Sequence, residues 1–170
     1  MVSKKIIHPL EPVWNPECKA LILGTMPSPK SRMVGFYYGH PQNRFWRVLA
    51  EIFGEPVPNS NADNAEKTSF LLQHRIALWD VLKSCRICGA SDQSITEPVP
   101  NDFSVLLQKT EIQSIYTTGK KAFQLYESLV YPKTEIHAIA LPSTSPANCR
   151  MSFHDLVEAY RVLLNTVSIK

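Results

Sequence analysis

The sequence has no apolar run approaching the roughly 20 residues that a membrane-spanning helix needs. Its opening residues, MVSKKIIHPLEPVWNPE, contain no continuous apolar stretch and no small-residue cleavage site, so neither a secretory leader nor a membrane partner is expected. Glycine is scarce, at six residues, and none of it forms a P-loop or a dinucleotide fingerprint behind a strand. The nearest approach, Thr117-Thr118-Gly119-Lys120-Lys121, holds a single glycine and reads as an ordinary strand-to-helix turn. No internal repeat or low-complexity tract is visible. Only four cysteines occur, Cys18, Cys85, Cys88 and Cys149, whereas small secreted domains carry denser, paired patterns. An intracellular compartment is therefore expected, the cytoplasm if the source is prokaryotic.

What remains is an ordinary globular composition. At 170 residues, 44% hydrophobic and 19% charged, the chain suits one domain over residues 1–170 with one core. The net charge of +3 permits a polyanionic partner without requiring one. Placement says more. Lys30, Arg32, Arg44, Arg47, Lys120, Lys121 and Arg150 fall mostly on loops or helix starts, where phosphates are met. Taken singly, each is more simply a solvated surface charge.

The stretch Ala20 to Phe53 organises the chain. Ala20-Leu21-Ile22-Leu23 is a short apolar strand ending at Gly24-Thr25. A Pro/Ser/Lys-rich loop follows, then Phe36-Tyr37-Tyr38, then His40-Pro41-Gln42-Asn43. An amphipathic helix is expected from near Pro41 to Phe53, stopped by Gly54, Pro56 and Pro58. This connection is long for a strand-to-helix loop, and in open α/β sheets ligands sit where such loops leave the strands. Residues 1–18 read as an extended arm anchored by Trp14, and Pro58 to Asp63 as a polar loop. Further strands are expected at Ile76–Leu82, Ile112–Thr117 and Ile136–Leu141. Helices are expected at Ala65–His74, from Asn101 or Asp102 to Gln108, and at Gly119–Leu129. Lys83 to Asn101 reads as irregular. A last helix begins at Ser152, with Asp155 completing a capping box. Alternation of short apolar strands with helices implies a parallel sheet covered on both faces.

Three groups of residues are more specific. Gly24-Thr25-Met26-Pro27-Ser28, Tyr38-Gly39-His40-Pro41-Gln42-Asn43-Arg44-Phe45-Trp46 and Leu141-Pro142-Ser143-Thr144-Ser145-Pro146-Ala147-Asn148 resemble the uracil-DNA glycosylase superfamily. The closest branches are the mismatch-specific uracil-DNA and the hypoxanthine-DNA glycosylases. The resemblance runs through Trp79-Asp80-Val81-Leu82 to the final helix. It implies a three-layer α/β/α sandwich around a four-stranded parallel sheet. It also implies a monofunctional, monomeric glycosylase, without cofactor or metal, that hydrolyses the N-glycosidic bond of deaminated bases in DNA: hypoxanthine, with uracil and xanthine as further candidates. The mismatch-specific branch carries Asn in its first motif to position water. Met26 stands there in this chain and cannot donate a hydrogen bond. The resemblance to the hypoxanthine branch moves that duty to Asn43, whose simpler alternative is to cap or brace the loop.

Such a reaction needs an extruded nucleotide, a flat face, donors to the departing base and grips on the flanking phosphates. Tyr38 is expected to stack on the base, with loop packing as its alternative, which Phe36 fits better. The backbone of Gly24, Thr25 and Met26 is expected at the base oxygen. Ser28, Lys30, Ser143, Ser145 and Arg150 are expected at DNA, with Pro146-Ala147-Asn148 as the wedge entering the duplex. His40 is expected to brace its loop, with general acid as its alternative, and Asp80 to cap a turn, with orienting a pocket group as its alternative. Ser91 to Ile95 is a polar run able to close the pocket mouth. Cys85-x-x-Cys88 has metal-site spacing, but its partners would be the isolated Cys18 and Cys149, and no metal is expected. A different class of function fits the same residues: a non-catalytic module binding damaged DNA or a nucleotide, in which Met26 marks lost chemistry.

Overall fold

The computed structural model describes residues 2–60 and 64–168; the last part of the expected polar loop, Asn61 to Asp63, lies outside them. In chain order the elements are β1 (Lys4–Ile7), β2 (Ala20–Gly24), α1 (Pro29–Val34), α2 (Phe45–Phe53), α3 (Ala65–Gln73), β3 (Ile76–Asp80), β4 (Leu82–Cys88), β5 (Ser91–Pro100), α4 (Ser104–Gln108), β6 (Ser114–Thr118), α5 (Lys120–Leu129), α6 (Tyr131–Thr134), β7 (Ala138–Leu141), α7 (Phe153–Tyr160) and α8 (Val162–Val167). Among the described residues no helix is long and apolar enough to cross a membrane.

Four parallel strands form the central sheet in the order β3-β2-β6-β7. β2 lies inside it, with Leu21 paired to Ala77 on one side and Ile115 on the other. All five of its residues are buried. Because strand side chains alternate between faces, the run divides between two cores. Ala20 and Ile22 join Phe45, Trp46, Leu49, Phe70, Leu71, Leu156 and Tyr160 from α2, α3 and α7. Leu21 and Leu23 join Phe103, Leu106, Leu125 and Tyr126 from the α4 and α5 side. This is the three-layer α/β/α sandwich.

The structure corrects the reading of Lys83 to Asn101. Instead of irregular chain, β4 and β5 form an antiparallel hairpin about the two-residue turn Gly89-Ala90, and β1 adds a third strand through pairs such as Ile6↔Cys85. Pro98 and Pro100 argue against a strand only when both edges are paired. Here they lie on the outer strand, where an unpaired edge tolerates a missing N–H. Register shifts along β4 also blur the alternation that would have marked it. The N-terminal segment is thus held as β1 and by a two-way backbone bridge between Val13 and Leu78, 2.9 Å in each direction. Trp14 packs half-buried against the second core.

Two local differences affect the site. The loop after β2 contains helix α1, capped by Ser28, whose Oγ accepts from the Ser31 N–H, and closed by Gly35 in the left-handed region at φ 78°. Helix α2 begins at Phe45, leaving Pro41 to Arg44 as a turn. The expected capping box is present: Ser152 accepts from the Asp155 N–H, and Asp155 accepts from the Ser152 N–H. The final helical stretch then breaks at Arg161 into α7 and α8.

Helix α7 also fixes the second loop. The buried Tyr160 hydroxyl donates to the Pro142 carbonyl at 2.6 Å. Tyr160→Phe leaves that carbonyl without its partner and is expected to lower unfolding stability by about 1–2 kcal/mol, read as a reduced urea midpoint at unchanged slope.

Candidate active site

The carboxyl ends of β2, β3, β6 and β7 open onto one cleft of about 550 Å³. Its floor is Gly24, Thr25 and Met26 with Asp80. Its walls are Tyr38, Asn43, Thr118, the loop from Ser143 to Asn148, and the hairpin tip Ala90 to Gln93. Gly24 is required by close approach: a Cβ there would stand 2.5 Å from Asp80 Oδ1 and 3.2 Å from the Tyr38 hydroxyl. Met26 is 9% exposed and packs into the second core. Only its backbone is suited to polar contact, which agrees with an apolar side chain at that position.

Tyr38 holds a left-handed backbone, φ 53°, a conformation that costs a non-glycine residue energy and is kept where the surroundings enforce it. Its ring lies parallel to Phe45, centroids 3.8 Å apart and planes at 13°. Its hydroxyl meets Thr118 Oγ1 at 2.8 Å. One face of the half-buried ring is therefore covered by Phe45. Burial, reinforced by the Asp80 charge, holds the phenol far above its ordinary pKa, so it stays protonated. Phe36 stacks on Trp46 and meets Tyr37 edge-on, the packing role expected of it. His40 is exposed; its Nδ1 accepts from the Gln42 N–H and its carbonyl from the Asn43 N–H. It braces the turn, as read from the sequence.

Asn43 joins the two loops. Its Oδ1 accepts from the Phe45 N–H at 2.9 Å and from the Thr144 hydroxyl at 2.8 Å. A backbone N–H only donates, so the atom facing it is the oxygen and the amide orientation is fixed. The bracing function read from the residues is therefore present. The Nδ2 group, which no protein acceptor among the described residues engages, is what Asn43 offers the cleft. Arg44 strengthens the same junction. Its backbone N–H donates to the Thr144 carbonyl. Its guanidinium donates to the carbonyls of Met151, Ser145 and Asn148 at 2.6, 3.2 and 2.8 Å.

Within the second loop, Ser143 Oγ accepts from the Ser145 N–H, Ser145 Oγ from the Ala147 N–H, and Asn148 Nδ2 donates to the Ser143 carbonyl. Pro146 and Ala147 are exposed at its tip. Ser28, Ser143, Ser145, Ala147 and Asn148 line the cleft, while Lys30, Pro146 and Arg150 lie outside its lining. Cys18 and Cys85 are buried in the second core and Cys149 is exposed on the loop. Among the described residues no three His, Cys, Asp or Glu side chains are grouped to hold a metal ion.

The hairpin contributes what the sequence reading left as loop. Asp92 Oδ2 accepts from Thr25 Oγ1 at 2.9 Å. Its signal was the polar run from Ser91, which does reach the cleft. Of the two readings of Asp80, turn cap and pocket group, the structure favours the second: its carboxylate forms part of the floor and accepts from His8 at 2.7 Å. The turn beyond it is held by the Asn101 side chain on the Asp80 carbonyl. His8 carried no sequence signal.

Burial pushes the Asp92 carboxyl above its ordinary value of 3.8, with the Asp80 charge adding and the Thr25 hydroxyl and Lys121 charge opposing. A carboxyl raised on folding binds its proton more tightly in the native state. Stability is thus highest below the unfolded pKa and declines as pH rises through the folded one. Asp92→Asn keeps an acceptor for Thr25 and removes that penalty. The variant is expected to unfold at higher temperature than the parent near pH 7, with the gain vanishing below about pH 4; paired thermal melts across that range check it.

Comparison with known proteins agrees with this architecture. Residues 11–164 match the Uracil DNA glycosylase superfamily. A hypoxanthine DNA glycosylase of Methanosarcina acetivorans is 36% identical over 144 residues, 82% of this chain and 87% of that protein. One from Methanosarcina barkeri is 35% identical over 120 residues, 70% and 74% of the two chains. The solution NMR structure of a candidate uracil DNA glycosylase from Methanosarcina acetivorans superimposes with a TM-score of 0.71 at 32% identity, covering 92% of this chain and 97% of that one. With the sheet, the cleft and these matches in agreement, the chain belongs to the uracil DNA glycosylase superfamily.

Proposed function

We propose that this member of a DNA glycosylase superfamily removes hypoxanthine from DNA, hydrolysing the bond between the base and deoxyribose after the nucleotide leaves the helix. The observation that carries the reading is the junction at Asn43 and Arg44, which brings the loop after β2 and the loop after β7 to one rim of one cleft. A flipped base needs a pocket walled on several sides, and this cleft is walled by the loop after β2, the end of β6, the loop after β7 and the hairpin tip. Hypoxanthine is the base named for both relatives, and that supports its choice here.

Each group then has a role. The half-buried Tyr38, backed by Phe45, offers a flat surface for the base. Asn43 Nδ2 donates to the substrate, where charge grows on the departing base or at the sugar. Backbone groups of Gly24, Thr25 and Met26 face the base edge. Ser28, Ser143 and Ser145 contact phosphate, with Lys30 and Arg150 meeting the strand beyond the cleft. Pro146 and Ala147, at the exposed tip with Asn148 behind them, fill the space that the extruded nucleotide leaves. The protein works as a monomer, with DNA as its partner.

The core packing of Met26 gives a second reading some weight, since it leaves the first motif without a polar side chain to hold water: a module that binds damaged DNA without cleaving. One assay separates the two. Single-turnover incubation with inosine-, uracil- and xanthine-containing duplexes is expected to release hypoxanthine and leave an alkali-labile abasic site. Tight binding with no release would establish the binding module instead. Asn43→Ala is expected to fold and to slow release by about 100-fold or more, the range seen when one donor to developing charge is removed. Near-normal release would remove Asn43 from the chemistry.

A further inference from the structure

Hydrolysis at the anomeric carbon needs more than a donor. The attacking water must aim a lone pair at C1′ and give a proton to an acceptor. Asn43 is poorly suited to that second task, because Phe45 and Thr144 already occupy its oxygen. Met26 is turned into the core. Tyr38 remains a protonated phenol engaged with Thr118. His40 is exposed, with Nδ1 taken by the Gln42 N–H. Two carboxylates line the cleft, Asp80 and Asp92. Asp92 holds the Thr25 hydroxyl on one oxygen, and its burial favours the protonated form.

Asp80 is differently held. Its side chain is 6% exposed and that of His8 is 3%. The Leu10 N–H donates to His8 Nδ1 at 3.2 Å. That nitrogen therefore carries no proton, and the imidazole is the neutral tautomer protonated at Nε2. The Nε2–H donates to Asp80 Oδ2 at 2.7 Å. One carboxylate oxygen is thereby fixed by a donor of known identity. The other, Oδ1, receives no hydrogen bond from the described residues and lies against Gly24, where any side chain would collide with it. An aimed acceptor at the floor of a cleft, kept clear by a glycine, has no evident structural use.

We propose that Asp80 takes the proton of the attacking water and that His8 is the positioning residue that aims Asp80. The inference rests on the reading that the chain releases a base. The water oxygen forms the bond to C1′, and its proton passes to Asp80 Oδ1. The C1′–N bond breaks with its electron pair leaving on the base, which takes up a proton from solvent. The products are free hypoxanthine and an abasic deoxyribose, and Asp80 returns its proton to solvent. His8 precedes the segment that matches the superfamily, which begins at residue 11.

The test is single-turnover release from an inosine duplex across pH, with duplex affinity measured separately. Facing Asp80 are His8 from the N-terminal arm, Asp92 from β5, and Tyr37 and Tyr38 from the segment before α2. Asp80→Asn accepts the same His8 N–H and fills the same space. It is expected to bind the duplex normally and to release base about 100-fold more slowly or worse. His8→Ala removes the N–H donor that aims the carboxylate and is expected to slow release at unchanged duplex affinity; His8→Gln, which restores an N–H donor, is expected to recover the rate. An active parent with an Asp80→Asn variant within threefold of its rate, or a His8→Ala variant as fast as the parent, overturns this assignment and leaves the glycosylase reading standing. A parent that releases no base from any of the duplexes overturns both.

Discussion

The structure of the site depends on one guanidinium. Arg44 spans the gap between the start of α2 and the loop after β7 by donating to three backbone carbonyls there. Those carbonyls belong to a loop whose serines and Asn148 are spent on internal turns, so its other ties to the molecule are the Thr144 contacts and the Tyr160 bond at its start. Arginine suits the task because its planar fork offers several donors in a fixed geometry and stays charged. Asn43, its neighbour in sequence, completes the joint through Thr144. The pairing Asn-Arg thus gives one residue that faces the cleft and one that holds the opposite wall at a set distance from it.

This division explains which parts of the site could be read from the chain. The run His40 to Trp46 and the run Leu141 to Asn148 each contain several residues whose types are constrained together, so both stand out as units. β2 was equally plain, because five buried residues between two helical layers leave no room for polar alternation. Helix α1 was hidden in a stretch rich in Pro and Ser, residues that read as loop although Pro29 and Ser28 begin a helix well. The β4–β5 hairpin was hidden for a different reason. Prolines and register shifts mask a strand unless its position at the sheet edge is known, and that is a property of the assembled fold. Asp92 rode on that hairpin and could be guessed only as part of a polar run.

His8 and Asp80 show the limit most clearly. His8 carries no signal of its own, Asp80 stands in the run Trp79 to Leu82 without pointing to a partner, and the two are brought together as β1 adds to β4 and Val13 bridges to β3. Met26 illustrates the reverse case. As a letter it suggested missing chemistry. In the fold it is a core residue whose backbone happens to face the cleft, so the polar work must fall to other residues whatever their place in the sequence.

The contact between His8 and Asp80 spans a sequence separation of 72, and β1 has no partner strand until β4 exists. During synthesis β1 is made before β4 and is without that pairing partner until β4 follows. Long-range closures of this kind come late because their entropy is lost before the contacts repay it. A molecule with its parallel sheet and both loops in place but β1 not yet seated would still lack a finished floor.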